Sequence, residues 1–280
     1  MSGKTKKIIF AAGLLLVLPI SAGWLFLPFA NPQWHWRLYA WQAAGLPDGK
    51  LDPPPGYSGT WRQWTGDGRM IASYSYRNGE RDGPYQTFDQ AGRPLSTGQY
   101  AAGKLEGAQR VNHEDGTHAE IPYRGGKRDG VERTWFASGQ VAVEAPWIAD
   151  VQDGTVTFYH ENGSIQAAMP FSCGEIEGVR RIWDENGLLQ AEETFRGGRK
   201  SGPSVFFRPD GGVDMSLNYS DDVMDGVQAW FHPNGNKARE IRLTLGVPQG
   251  FWREWDEKGN LIVDEEYEKG ELRRKDSPAP

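Results

Sequence analysis

Gly178-Val-Arg-Arg-Ile-Trp183-Asp-Glu-Asn186-Gly187, continued by Leu-Leu-Gln-Ala-Glu-Glu-Thr-Phe195-Arg-Gly-Gly198-Arg-Lys-Ser-Gly202, contains one complete unit of this chain. An aromatic stands five residues after Gly178, and Asn-Gly follows. The frame recurs along the chain. Its first glycines are Gly59, Gly83, Gly107, Gly130, Gly154, Gly178, Gly202, Gly226 and Gly250, in steps of 24, 24, 23, 24, 24, 24, 24 and 24. A second series lies nine residues after each: Gly68, Gly92, Gly116, Gly139, Gly163, Gly187, Gly211, Gly235 and Gly259. The short step is one residue missing between Gly116 and Gly126. A fixed period of this length marks a repeat array.

Asn162-Gly163, Asn186-Gly187, Asn234-Gly235, Asp67-Gly68, Asp115-Gly116 and Asp210-Gly211 place turn formers at the second series. Such pairs supply the positive φ angles of a tight hairpin turn. Each repeat is therefore expected to run strand, tight turn, strand, looser Gly-containing turn. The second strands alternate in polarity, as in Val213, Met215, Leu217 and Tyr219, which gives each one buried face. They close on Tyr76, Tyr100, Tyr123, Trp147, Phe171, Phe195, Tyr219 and Tyr267, with Leu243 the exception. The first strands carry Trp64, Phe88, Trp135, Tyr159, Trp183, Phe207, Phe231 and Trp255, with Asn112 the exception. Stacked across repeats, these rings are expected to form a ladder of contacts that serves as a packed spine; a ligand-binding strip is the other reading.

The pattern resembles the MORN repeat, in particular its bacterial variant, over residues 59 to about 272. The resemblance implies the fold and supplies no catalytic residue. It also implies two associations: bacterial chains of this kind are grouped with YwqK-type antitoxins, partners of secreted toxins, and MORN repeats elsewhere resemble membrane-associated scaffolds. Asp150 and Asp222 depart from the pattern by replacing its third glycine. With the shortened repeat, they are expected to mark an irregular region facing a partner.

Composition excludes several function classes. Glycine makes up 36 of 280 residues, about 13% against a usual ~7%, which fits many turns. The first thirty residues hold three of the 31 basic residues and no acid, so the remainder carries 28 basic against 37 acidic residues, a charge of −9. An acidic body argues against nucleic acid as the partner, because phosphate neutralisation requires a basic face. It points instead to a basic protein partner.

Residues 1–30 are expected to anchor the chain. Lys4, Lys6 and Lys7 precede Ile8–Ala30, 23 residues without a charge and long enough to span a bilayer as a helix. Lysines ahead of the span keep the amino terminus cytoplasmic and place the repeats outside. Cleavage after Ala22 or Ala30 would put Ile20 or Pro28 where a small residue is needed, so the anchor should be retained. Trp34 and Trp36, with Tyr39 and Trp41, suit the membrane surface or pack as a short helix on the first repeat. Asp52-Pro53-Pro54-Pro55-Gly56 reads as a stiff extended spacer that completes the 31–58 segment.

Little in the chain suggests chemistry. His113, Glu114, Asp115 and His118 form the densest cluster of possible ligands, yet they straddle a hairpin tip and alternate faces. His160 and His232 occupy equivalent repeat positions where exposed turn-side residues are expected. Glu192 and Glu193, like Glu265 and Glu266, are adjacent on strands and so face opposite ways, which prevents joint acid–base work. They are expected to keep the surface soluble. Cys173, the single cysteine, reads as a small residue in a turn.

The sequence thus describes an all-β protein: an elongated antiparallel meander of nine ~24-residue β-hairpin repeats over 59–272, about eighteen strands, preceded by one N-terminal transmembrane helix and followed by a disordered tail, 273–280. It is expected to be a non-enzymatic, membrane-anchored scaffold without a cofactor, metal or small-molecule substrate, holding a protein partner that could be a toxin. The alternative is a structural or polysaccharide-contacting component of the cell envelope.

Overall fold

In a computed structural model the described residues are 52–276. Lys4, Lys6, Lys7, Trp34, Trp36 and the expected membrane helix lie outside them. Among the described residues no helix is long and apolar enough to cross a membrane. The chain divides into two compact units at Asn112/His113, inside the repeat that lacks a residue. Both are antiparallel meanders, with 23 strands among the described residues. The number exceeds eighteen for two reasons. Four first strands are interrupted before their glycine, leaving two-residue pieces such as Glu175–Ile176. A further strand, Glu271–Asp276, pairs with Leu261–Glu268 and carries the sheet past residue 272, where a disordered tail was expected.

The two turn types are the reverse of the sequence expectation. At Asn186-Gly187, Gly187 donates its N–H to the Asp184 carbonyl at 3.0 Å, and Asp184 donates to Leu188 at 3.0 Å. Only Gly187 has positive φ, +81°. This is a type I turn closed by a glycine in the left-handed region, and the bulge it creates shifts register between Ile182 and Trp183. Asp184 fixes it by accepting the N–H groups of Asn186 and Leu188, each at 2.9 Å. The tight two-residue turns are at the other end of the repeat. Gly197-Gly198 has φ of +53° and +75°, the signature of a type I′ turn, and joins paired Arg196 and Arg199. Asn78-Gly79, Ala102-Gly103, Cys173-Gly174, Leu245-Gly246 and Lys269-Gly270 do the same with a side chain at the first position.

Asp150 and Asp222 sit in such turns with φ of +73° and +68°. Their carboxylates accept the backbone N–H of Arg128 and Lys200, each at 2.8 Å. A hydrogen bond to the preceding repeat offsets the left-handed strain that Gly would have avoided. These turns are as regular as their neighbours, which corrects the expectation of irregularity there. The shortened repeat loses its residue from a strand: His118–Arg124 has seven residues where its counterparts have eight. Its turn at His113–Gly116 is intact.

The I′ turns form a column within each unit. The second turn residue donates its N–H to a carbonyl one repeat earlier, as Gly198 to Ile176 at 3.0 Å and Gly246 to Met224 at 2.8 Å. Before the first repeat, Tyr57 donates to Pro54 at 3.1 Å in a turn whose Gly56 has φ of +77°. The proline run therefore ends in a type II turn, and Tyr57 offers its carbonyl to Gly79 at 2.8 Å. The extended spacer is thus a cap on the first repeat.

The first-series glycines solve a packing problem. A Cβ on Gly154 would lie 2.9 Å from Pro146 Cγ, and one on Gly130 would lie 3.0 Å from Pro122 Cγ. Seven of the nine, all but Gly59 and Gly107, let the residue eight positions earlier rest against the backbone.

One sheet face is buried. On Leu189–Arg196 the buried side chains are Ala191, Glu193 and Phe195 at period two. The same face buries Ala145, Val156, Leu217, Ile241 and Leu243 elsewhere in the second unit. The first-strand aromatics do not build the expected spine. All eight fall on the bulge, immediately after the register shift, and are half-buried. Among the described residues Trp135 meets His118, and the other ring contacts lie elsewhere, including Tyr74 with Tyr85 at 5.7 Å and Trp252 with Tyr267 at 5.9 Å. The bulge turns each aromatic out of the pleat, so rings of successive repeats do not stack.

Candidate functional site

The polar residues of the buried face are the features of the second unit that the sequence did not predict. Glu193 is 2% exposed. Its Oε1 meets Lys200 Nζ at 2.7 Å, and its Oε2 accepts Arg180 Nε at 2.8 Å and also Arg180 Nη2. Burial pushes the Glu193 carboxyl up, but the hydrogen bonds and charges of Lys200 and Arg180 outweigh that and hold it below the usual carboxylate range. Arg180 also lies over the Phe195 ring at 5.3 Å and Lys200 over Tyr219 at 5.3 Å. Glu192, on the opposite face, pairs with Arg181 at 2.7 Å. The two adjacent acids do face opposite ways, yet Glu193 is internal rather than a solubilising surface group. Its cross-strand partners are 13 and 7 residues away, so register had to be known to find them.

Gln228 is 0% exposed. Its amide accepts the Asn218 N–H at 2.8 Å and donates to the Asn218 carbonyl at 3.0 Å. His160 and His232 are half-buried rather than exposed. Their Nε2 atoms lie 3.1 and 2.8 Å from the carbonyls of Trp183 and Trp255, the bulge aromatics of the following repeats. Asn162 and Asn234 donate across the same joint to Glu185 and Glu257 at 2.8 and 2.6 Å. These side chains tie turns together.

The His113–His118 cluster does not converge. His118 stacks on Trp135 at 4.7 Å with rings 7° apart. Asp115 accepts the N–H and hydroxyl of Thr117, which lowers its pKa. Among the described residues no three His, Cys, Asp or Glu side chains are placed to hold a metal. Cys173 is exposed, at the first position of an I′ turn.

In the first unit a different group stands on the corresponding face. Arg81 lies over the Tyr74 ring at 4.2 Å and the Tyr100 ring at 5.4 Å. Its Nε and Nη1 donate to the hydroxyls of Tyr76 and Tyr100, each at 3.4 Å. Tyr85 packs against Tyr100 at 5.0 Å and against the backbone of Gly98, where a Cβ would come within 2.7 Å.

An outer rim follows the I′ turns of the second unit. Ile148, Val151, Val223, Leu245 and Val247 are exposed there, Leu245 by 67%. Asp150, Asp221 and Asp222 stand exposed among them.

Residues 128–149 and 152–172 match the family model described as the MORN repeat variant. Those two segments are MORN repeat variants. Each MORN segment stops at or just before an I′ turn, Ala149-Asp150 or Cys173-Gly174. No curated protein matches the chain. Among solved structures it is similar to a chain of the Photorhabdus luminescens Tc holotoxin pore, at 12% identity over 79% of this chain and 16% of that one, with a TM-score of 0.17. A crystal structure of TcdB2-TccC3-TEV is similar at 11% identity over 78% of this chain and 16% of the other, also with a TM-score of 0.17. This chain spans about a sixth of the length of each.

Proposed function

We propose that this chain is a non-enzymatic scaffold that binds a protein partner while Lys4, Lys6, Lys7, Trp34 and Trp36 hold it at a membrane with the repeats outside the cytoplasm. An antitoxin or immunity partnership is one form of that role. The observation that carries the proposal is the rim along the I′ turns. Exposed Ile148, Val151, Val223, Leu245 and Val247 alternate there with the carboxylates of Asp150, Asp221 and Asp222. Grouped apolar side chains on a polar chain suit a partner, and the interspersed acids suit a basic one. MORN repeats are typically protein- or membrane-binding motifs, which supports the same reading.

The test uses the full chain in mild detergent as bait, with captured protein identified by mass spectrometry. Capture should weaken as ionic strength rises, weaken when Leu245 and Val247 are both changed to Ser, and decline in steps as repeats are removed. Changing His113, Glu114 and His118 together to Ala should leave it unaltered. Loss through that triple change alone, with the fold kept, would overturn the scaffold in favour of a chemical site. The anchor is tested separately: an amino terminus near residue 23 or 31 in the membrane fraction would show that it is cleaved.

A further inference from the structure

Arg81 occupies a position that recurs, two residues before a first-series glycine. Arg128 and Lys200 hold the same place before Gly130 and Gly202. In those repeats a carboxylate neutralises the cation: Glu132 at 3.8 Å and Asp150 at 3.6 Å for Arg128, Glu193 at 2.7 Å for Lys200. Arg128 also sits over the Trp147 ring at 3.5 Å, so an aromatic contact does not replace the acid. Arg81 has its aromatic contacts but no ion pair among the described residues. The paired residues on its face, Trp61, Tyr74, Tyr76, Tyr85, Gly98, Tyr100 and Leu105, include no acid.

The geometry leaves donors unused. Nε and Nη1 of Arg81 each bond a phenol oxygen, which leaves the two phenol O–H groups able to donate elsewhere. Arg81 Nη2 bonds to nothing described and is not a buried atom. A half-buried guanidinium flanked by hydroxyl donors favours a bidentate oxyanion. Arg128 and Lys200, the cations at the equivalent position, both meet carboxylates, which favours that oxyanion over phosphate.

We propose that Arg81, with the hydroxyls of Tyr76 and Tyr100, is a docking point for a carboxylate supplied by a protein partner. The Tyr74 ring holds the place that Glu193 takes beside Lys200, so an Asp or Glu side chain of the partner meets Arg81 from the side of the free Nη2. The protein source of the carboxylate rests on the scaffold reading; the site itself does not.

The experiment titrates the full-length protein in detergent with acetyl-Gly-Glu-Gly-amide, a peptide with a single carboxylate, following the Arg81 Nε–H resonance by 15N NMR. The peptide should shift that resonance, and its Gln analogue should bind about tenfold more weakly or worse, as one charge-assisted contact requires. Arg81→Gln should lower affinity by a similar factor, Tyr100→Phe by less, and Arg128→Gln not at all. Equal affinity for the Gln analogue, undiminished binding to the Arg81→Gln variant, or tighter binding of inorganic phosphate would overturn the proposal. If Arg81→Gln fails to fold, the parent resonance and the Gln analogue still decide. Failure here would leave the scaffold standing, because partner capture through the I′ rim is read separately.

Discussion

Gln228 takes over strand pairing for Asn218: its amide engages both the N–H and the C=O of that residue, at 2.8 and 3.0 Å, from a position with no solvent exposure. The backbone ladder is irregular there, since Asp225 also donates to the Asn218 carbonyl at 2.9 Å, and a side chain completes it. Gln228→Leu should destabilise the second unit by roughly 1–3 kcal/mol, because a buried N–H loses its acceptor. Urea denaturation measures it; an unchanged midpoint would mean that water serves the Asn218 amide equally well.

The Glu193 triad gives a pH dependence with a defined sign. Its folded pKa is lowered, so its stabilising contribution is complete above the unfolded value of roughly 4.3 and is lost as pH falls through the lower folded value. Glu193→Gln should remove that part of the acid limb of a stability–pH profile. At neutral pH it should cost about 3–5 kcal/mol, since Arg180 and Lys200 are left facing an uncharged group. Parallel acid limbs in parent and variant would assign the pH dependence to other carboxylates.

Asp222 combines a strained φ with a useful carboxylate. Asp222→Ala keeps the strain and loses the bond to Lys200, for an expected cost of about 1–2 kcal/mol. Asp222→Gly loses the bond but relieves the backbone, so it should fall within about 0.5 kcal/mol of the parent. Thermal melts that rank Ala above Gly would contradict the positive φ.

Gly187 has open space where a Cβ would point, so any cost of Gly187→Val comes from its φ of +81°. About 1–3 kcal/mol is expected. Gln190→Val, on an exposed strand position, is the matched control and should cost much less.

Much of the architecture was legible because glycine spacing reports backbone geometry directly. Gly154 leaves room for Pro146 to pack, and similarly close approaches recur at Gly83, Gly130, Gly178 and Gly202. The two turn types were exchanged because Asn186-Gly187 looks like an I′ pair, whereas several true I′ turns open on Ala102, Leu245 or Lys269, residues with no turn signature. The polar interior was invisible for another reason. Adjacent Glu192 and Glu193 announce opposite faces, but which face is buried, and that Lys200 lies across from it, follows from register and bulges. Arg81 gave no signal, since its distinction is a counter-charge that its equivalents have and it lacks.

The column of turn hydrogen bonds is directional. Within each unit an I′ turn donates to the repeat before it and leaves a carbonyl for the repeat after it, and the Pro54–Tyr57 turn supplies the first unit's first such carbonyl without being a repeat. An array built this way has one finished end and one extensible end. In-frame duplication or loss of a 24-residue segment within the second unit rejoins a donor to an equivalent acceptor, so the number of repeats can drift between related chains while every joint stays chemically the same. Natural length variation should therefore come in whole repeats, with the proline cap retained ahead of them.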